Sequence, residues 1–84
     1  MKLNKDQFTV IKNNKEYTLS PNEWKLVEYL YDRKGKVISQ DELLIDIWGG
    51  GAETAVVRVY VGYVRKKLGK DSIRTRRGFG YFIN

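Results

Sequence analysis

Arg74, Arg76 and Arg77 fall within four residues, behind a segment that already carries Arg58, Arg65, Lys66, Lys67 and Lys70. Guanidinium and ammonium groups packed this closely repel one another unless a counter-charge joins them, and arginine in a projecting loop is suited to reach phosphates or a narrow minor groove. From Thr54 to Asn84 these eight bases face one acid, Asp71, a net charge of +7, whereas the first 53 residues hold eight bases and nine acids. The whole 84-residue chain is therefore at +6, with the excess in its last third. A field of this kind attracts a polyanion, and nucleic acid is the first candidate because aligned cations displace condensed counterions from a phosphate backbone.

Other chemistry lacks its residues. There is no cysteine and no histidine, which removes disulfides, thiolate metal sites, the usual general base and the commonest zinc ligand. Asp41, Glu42 and Asp46 bring three carboxylates together, but the first two suit the opening turn of a helix, where they complement its dipole. Gly78-Phe79-Gly80 lacks the third glycine of a dinucleotide fingerprint, and Gly69-Lys70-Asp71 lacks the rest of a P-loop. Trp24, Tyr31 and Trp48 read as core residues. No catalytic residue, metal, cofactor or small-molecule substrate is expected. No apolar run is long enough to span a bilayer, and the first residues have no signal-peptide core. A cytoplasmic protein is expected.

The size suits one domain, 1–84, with a single core. Phe8–Ile11 and Tyr17–Leu19 flank Lys12-Asn13-Asn14-Lys15 as a hairpin, since asparagine tolerates positive φ. Ser20-Pro21-Asn22-Glu23 supplies an N-cap, a first-turn proline and the glutamate of a capping box. That helix runs through Trp24, Leu26, Val27, Leu30 and Tyr31 to a stop at Gly35, with Arg33 and Lys34 in its last turn. Ser39-Gln40-Asp41-Glu42 repeats the capping-box pattern and opens a second helix, with Leu43, Leu44, Ile47 and Trp48 apolar, ended by Gly49-Gly50-Gly51. A third helix runs from near Thr54 to Gly69. Its Val57, Tyr60, Val61, Val64 and Leu68 repeat at i, i+3, i+4, i+7 and i+11, one buried stripe. Ile73–Thr75 and Gly80–Ile83 form a last hairpin. The expected class is α+β, a helix-turn-helix carrying a wing.

The face of the third helix opposite its apolar stripe carries Ala55, Val59, Gly62 and Lys66, flanked by Arg58 and Arg65 on one side and Tyr63 and Lys67 on the other. Ala55 and Gly62 permit close backbone approach, although a mid-helix glycine costs about 1 kcal/mol relative to alanine. Val59 suits a thymine methyl.

Four blocks in register resemble the OmpR/PhoB-type winged-helix effector domain of bacterial response regulators. They are Leu19–Trp24, Ser39–Leu44 with Trp48-Gly49, Val64–Gly69 and Ile73–Tyr81. The resemblance runs from about Phe8 to Ile83. It implies sequence-specific binding of double-stranded DNA in transcription regulation within a two-component system. The third helix would enter the major groove with Ala55, Arg58, Val59, Gly62, Tyr63 and Lys66 toward bases. Tyr60, Arg65, Lys67, Arg74, Thr75, Arg76, Arg77 and Tyr81 would hold phosphate or the minor groove, with Gln40 and Trp48 on the backbone beside the second helix. Gly49, Gly50, Gly51, Ala52 and Glu53 match the segment through which such activators contact RNA polymerase, and relatives often dimerise on tandem half-sites about one helical turn apart.

The chain departs from that pattern where many relatives have arginine, at Ala55, Gly62 or Tyr63, and at Arg76, where they have an apolar residue. The receiver domain that usually precedes such a module is absent from these 84 residues, so an isolated effector domain or a stand-alone form is expected. Two rivals remain: a winged helix used as a protein-interaction module, and a basic amphipathic helix lying on an anionic membrane.

Overall fold

A computed structural model describes all 84 residues. The element order is β1 (Lys2–Asn4), β2 (Thr9–Lys12), β3 (Lys15–Thr18), α1 (Pro21–Asp32), α2 (Gln40–Trp48), α3 (Ala55–Leu68), β4 (Arg74–Arg76) and β5 (Gly80–Phe82). The first three strands form an antiparallel sheet in the order β1-β2-β3, and β4 pairs with β5 as a separate hairpin.

Local chemistry accounts for most of the boundaries. Asn13 and Asn14 both lie at positive φ, 53° and 63°, between the paired residues Lys12 and Lys15, the backbone that a tight two-residue hairpin requires. Ser20 closes a complete capping box: Glu23 N donates to its Oγ, and its own N donates to the Glu23 carboxylate. Ser39 caps α2 on one side only, by accepting from Glu42 N. The Glu42 carboxylate does not reciprocate as the sequence pattern suggests. It lies instead 2.8 Å from the Tyr29 hydroxyl, whose one proton is shared between Glu42 and Asp46 and so buckles α1 to α2.

The end of α1 also differs from expectation. The helix stops at Asp32, leaving Arg33 as its C-cap and Lys34 beyond it. Arg33 still serves the helix end: its Nη1 donates to Tyr29 O and its guanidinium lies 3.7 Å above the Tyr29 ring. The sequence alone does not indicate β1. Its three residues carry no alternation of their own and become a strand only by pairing with β2.

The core is one cluster. Leu26, Val27 and Leu30 of α1 meet Leu43 of α2, Val57, Val61, Val64 and Leu68 of α3, and Val10, Ile38, Ile73 and Tyr81. The stripe expected on α3 is thus the buried one, with Tyr60 half-buried at its edge. On α2 only Leu43 is fully buried; Leu44, Ile47 and Trp48 pack at the margin. The hairpin β4–β5 is pinned to this body by reciprocal backbone hydrogen bonds between Ile38 and Tyr81 at 2.8 and 2.9 Å. Gly80, at φ 149°, makes that close approach possible, because a Cβ there would collide with the Ile38 carbonyl.

Candidate nucleic-acid interface

With its stripe buried, α3 turns Ala55, Arg58, Val59, Gly62, Tyr63 and Lys66 to solvent, all of them exposed. Gly62 has open space where a side chain would stand. Val59 is 45% exposed and Tyr63 50%, so an apolar and an aromatic group share a strip whose remaining members are small or cationic. The strip is one continuous helix face, because these positions recur at three- and four-residue spacing.

An aromatic series leads from this strip into the domain. Tyr63 meets Tyr60 edge-on at 5.4 Å, and Tyr60 stacks on Trp48 at 5.6 Å. The Tyr60 hydroxyl accepts from Asn22 Nδ2 at 3.2 Å. The indole N–H of Trp48 is buried without a hydrogen-bond partner, a donor not committed to any protein acceptor.

The wing is attached to α3 by Arg65. Its Nε donates to Ile73 O at 2.9 Å, its Nη2 donates to Thr75 Oγ1 at 2.7 Å, and its guanidinium lies 5.9 Å from the centre of the Tyr81 ring. Tyr81, expected on the nucleic-acid side, is 9% exposed and belongs to the core. Arg74, Arg76 and Arg77 are exposed, and Arg76 sits 5.6 Å from the Phe82 ring centre. No carboxylate lies within ion-pair distance of these three, nor of Arg58, Lys66 or Lys70. Phe79, at the hairpin tip and 73% exposed, carries no signal in the sequence that singles it out. Its neighbours read only as turn residues, and its exposure follows from how the hairpin projects.

Two other expected contacts are occupied within the protein. Gln40 Nε2 donates to Thr54 O at 3.3 Å, which ties the start of α2 to the start of α3. Lys67 Nζ pairs with Glu23 Oε1 at 2.7 Å on the α1 side. The loop Gly49–Glu53 is exposed, and Gly49 and Gly50 both take positive φ. The three carboxylates near α2 do not converge on a metal site: no group of three or more metal-ligating side chains is formed. No helix is long and apolar enough to cross a membrane.

Comparison with known proteins agrees with this geometry. Residues 14–83 match the family described as transcriptional regulatory protein, C terminal. Response regulator protein PmrA of Pseudomonas aeruginosa is 40% identical over 68 residues, covering 79% of this chain and 31% of that protein. Transcriptional regulatory protein KdpE of Mycobacterium tuberculosis is 38% identical over 79 residues, covering 86% and 35%. The chain thus spans about a third of the length of these curated relatives. Among solved structures, DrrB, a Thermotoga maritima OmpR/PhoB homologue, superposes with a TM-score of 0.87 at 26% identity, over 98% of this chain and 40% of that one. The DNA-binding domain of response regulator AdeR, solved in complex with an intercistronic region, shares the fold with a TM-score of 0.86 at 24% identity, over 99% and 92%. The chain belongs to the OmpR/PhoB-type family of winged-helix DNA-binding domains of response regulators, which are non-enzymatic transcriptional regulators.

Proposed function

We propose that this domain reads duplex DNA in a sequence-selective manner, with α3 in the major groove and the β4–β5 wing on the adjacent minor groove or backbone. The observation that carries this is the open strip of α3. It combines small residues for close approach, Val59 and Tyr63 for base edges, and Arg58 and Lys66 for guanine or phosphate. Arg74, Arg76 and Arg77 supply phosphate contacts from the wing, while Arg65, Thr75 and Tyr81 hold the wing in place. Gln40, Trp48 and Tyr60 border the same side, although the indole N–H of Trp48 is itself buried away from solvent. The AdeR domain, which has this fold, was solved with DNA.

Six cations in the last third, Arg58, Lys66, Lys70, Arg74, Arg76 and Arg77, have no carboxylate partner and are not tied to the protein as Arg65 is. If each neutralises one phosphate, at about 0.9 per phosphate the slope of log K against log salt is roughly −5. By the same reading, the loop Gly49–Glu53 is the surface for RNA polymerase, and two copies occupy tandem half-sites about one helical turn apart. The compartment is the one holding the chromosome, the cytoplasm.

Selection from random duplex DNA, followed by salt titrations on the selected and a scrambled duplex, tests the proposal. A preferred site with at least about tenfold selectivity is expected, well below the ceiling for specific binders. Equal affinity for both duplexes removes base reading and favours the protein-interaction alternative. Tighter binding to anionic vesicles than to duplex favours the membrane alternative.

A further inference from the structure

Lys67 stands in the last turn of α3 within the most basic stretch of the chain, yet its ammonium is committed to the protein body. It lies 2.7 Å from Glu23 Oε1 and 3.5 Å from Thr18 O. Glu23 is only 4% exposed, and the same Oε1 accepts the Ser20 N–H of the α1 cap at 2.8 Å. One carboxylate oxygen therefore joins the N-terminus of α1 to the C-terminal turn of α3. The neighbouring Asn22 holds Tyr60 through its hydroxyl. Tyr60 and Lys67 are seven residues apart, two turns along one flank of α3, so two successive residues of α1 grip α3 at two points. Beyond them, Lys12 donates to the carbonyl of Leu68 at the end of the same helix.

We propose that Glu23 and Lys67 are positioning residues that set the seating of α3 on the body of the domain, and that Lys67 makes no phosphate contact in the DNA complex. The proposal rests on the DNA-binding reading above. Two physical points carry it. The apolar contacts of α3 are made by Val57, Val61, Val64 and Leu68, and dispersion contacts of this kind tolerate small slides and rotations better than a directional charged hydrogen bond does. Moving the Lys67 ammonium to a phosphate would also leave the buried Glu23 carboxylate without its counter-charge, and stranding one member of such a pair is strongly unfavourable.

The test uses the 84-residue domain, with K67Q, E23Q and the double variant, at a temperature where circular dichroism shows each fully folded. Fluorescence anisotropy measures binding to the selected and the scrambled duplex over a range of salt. K67Q is expected to weaken the selected duplex on the order of tenfold, within the range for coupled neighbours, with its salt slope unchanged. E23Q should do the same although Glu23 cannot reach DNA, and the double variant should be no weaker than either single one. A slope that falls by about 0.9 in K67Q, as for a lost phosphate contact, overturns the proposal. So does an E23Q domain that binds the selected duplex like the wild type. If E23Q does not fold, the K67Q slope decides alone. A wild-type domain without selectivity for any duplex overturns instead the DNA-reading proposal.

Discussion

Arg65 Nη2 donates to Thr75 Oγ1 at 2.7 Å, so a side chain from the exposed helix and one from the wing are a single hydrogen-bonded unit. The second Arg65 bond, from Nε to Ile73 O, uses the other arm of the guanidinium fork, which a lysine cannot reproduce. Replacing Thr75 by valine keeps the shape and removes the acceptor. The expected result is a stability loss of about 1 kcal/mol in thermal unfolding and weaker binding to the selected duplex, both recovered in T75S. A T75V domain that binds like the wild type would show that the wing angle does not depend on this bond.

Gly62 gives opposite expectations for stability and binding. Its Cβ position is open space and it lies inside α3 at ordinary helical φ. Gly62→Ala should therefore stabilise the free domain by about 1 kcal/mol through helix propensity. In the complex, the added methyl would stand between the helix and the groove floor, so affinity for the selected duplex should drop. Paired melting and binding measurements check both signs, and a variant that gains on both counts would remove Gly62 from the contact face.

Arg77 and Tyr63 should fail in different ways. Arg77→Ala is expected to weaken selected and scrambled duplexes alike and to make the salt slope shallower by about one. Tyr63→Ala or Val59→Ala should instead change the preferred site in a repeated selection, with little change in slope. Identical losses from both classes would contradict the division between strip and wing.

The Glu23 carboxylate predicts the acid limb of stability. Burial pushes its pKa up, but hydrogen bonds from Lys67 and Ser20 outweigh burial and hold it below the ordinary 4.5. A group lowered in the folded state contributes stability above its unfolded pKa and loses it as pH falls through the folded value. Chemical denaturation between pH 6 and pH 2, a window set around that 4.5, should show a shallower acid decline for E23Q than for wild type. Asp71, also lowered, by the hydrogen bond from Lys12, is largely exposed, so added salt screens its contribution away.

Tyr29 predicts the opposite limb. Donation to Asp46, then burial, then donation to Glu42 push its phenol well above the ordinary 10.0. A raised pKa means stability that is complete below the unfolded value and is lost as pH rises above it. Y29F should be less stable than wild type near neutrality, because Asp46 and Glu42 lose their donor. The gap should narrow above pH 10, which denaturation at pH 8 and at pH 11 would show.

Several elements were legible in the sequence because their cause is local. The Asn13-Asn14 turn, the Ser20 capping box and the five-residue stripe of α3 follow from side-chain geometry within a few residues. The α3 stripe also determined which residues would be exposed, since a helix that buries one face must turn the other outward. β1 was not legible, because three residues acquire strand geometry only from a partner. The fate of Glu42 was hidden for a similar reason: its cap role is local, whereas its bond to Tyr29 crosses thirteen residues.

The same division holds for the interface. The sequence by itself determined the +7 charge of the last third, the open strip with its small residues and the existence of an arginine-bearing hairpin, because charge and helical period are properties of the chain. Only the tertiary structure decided which of those cations are available. It paired Lys67 with Glu23 across 44 positions, tied Arg65 to the neutral Thr75 across ten, and left Arg58, Lys66, Lys70, Arg74, Arg76 and Arg77 with neither an acidic partner nor such a tether. A cation's identity is written in one residue, but whether its charge is free depends on what folding brings within hydrogen-bond reach.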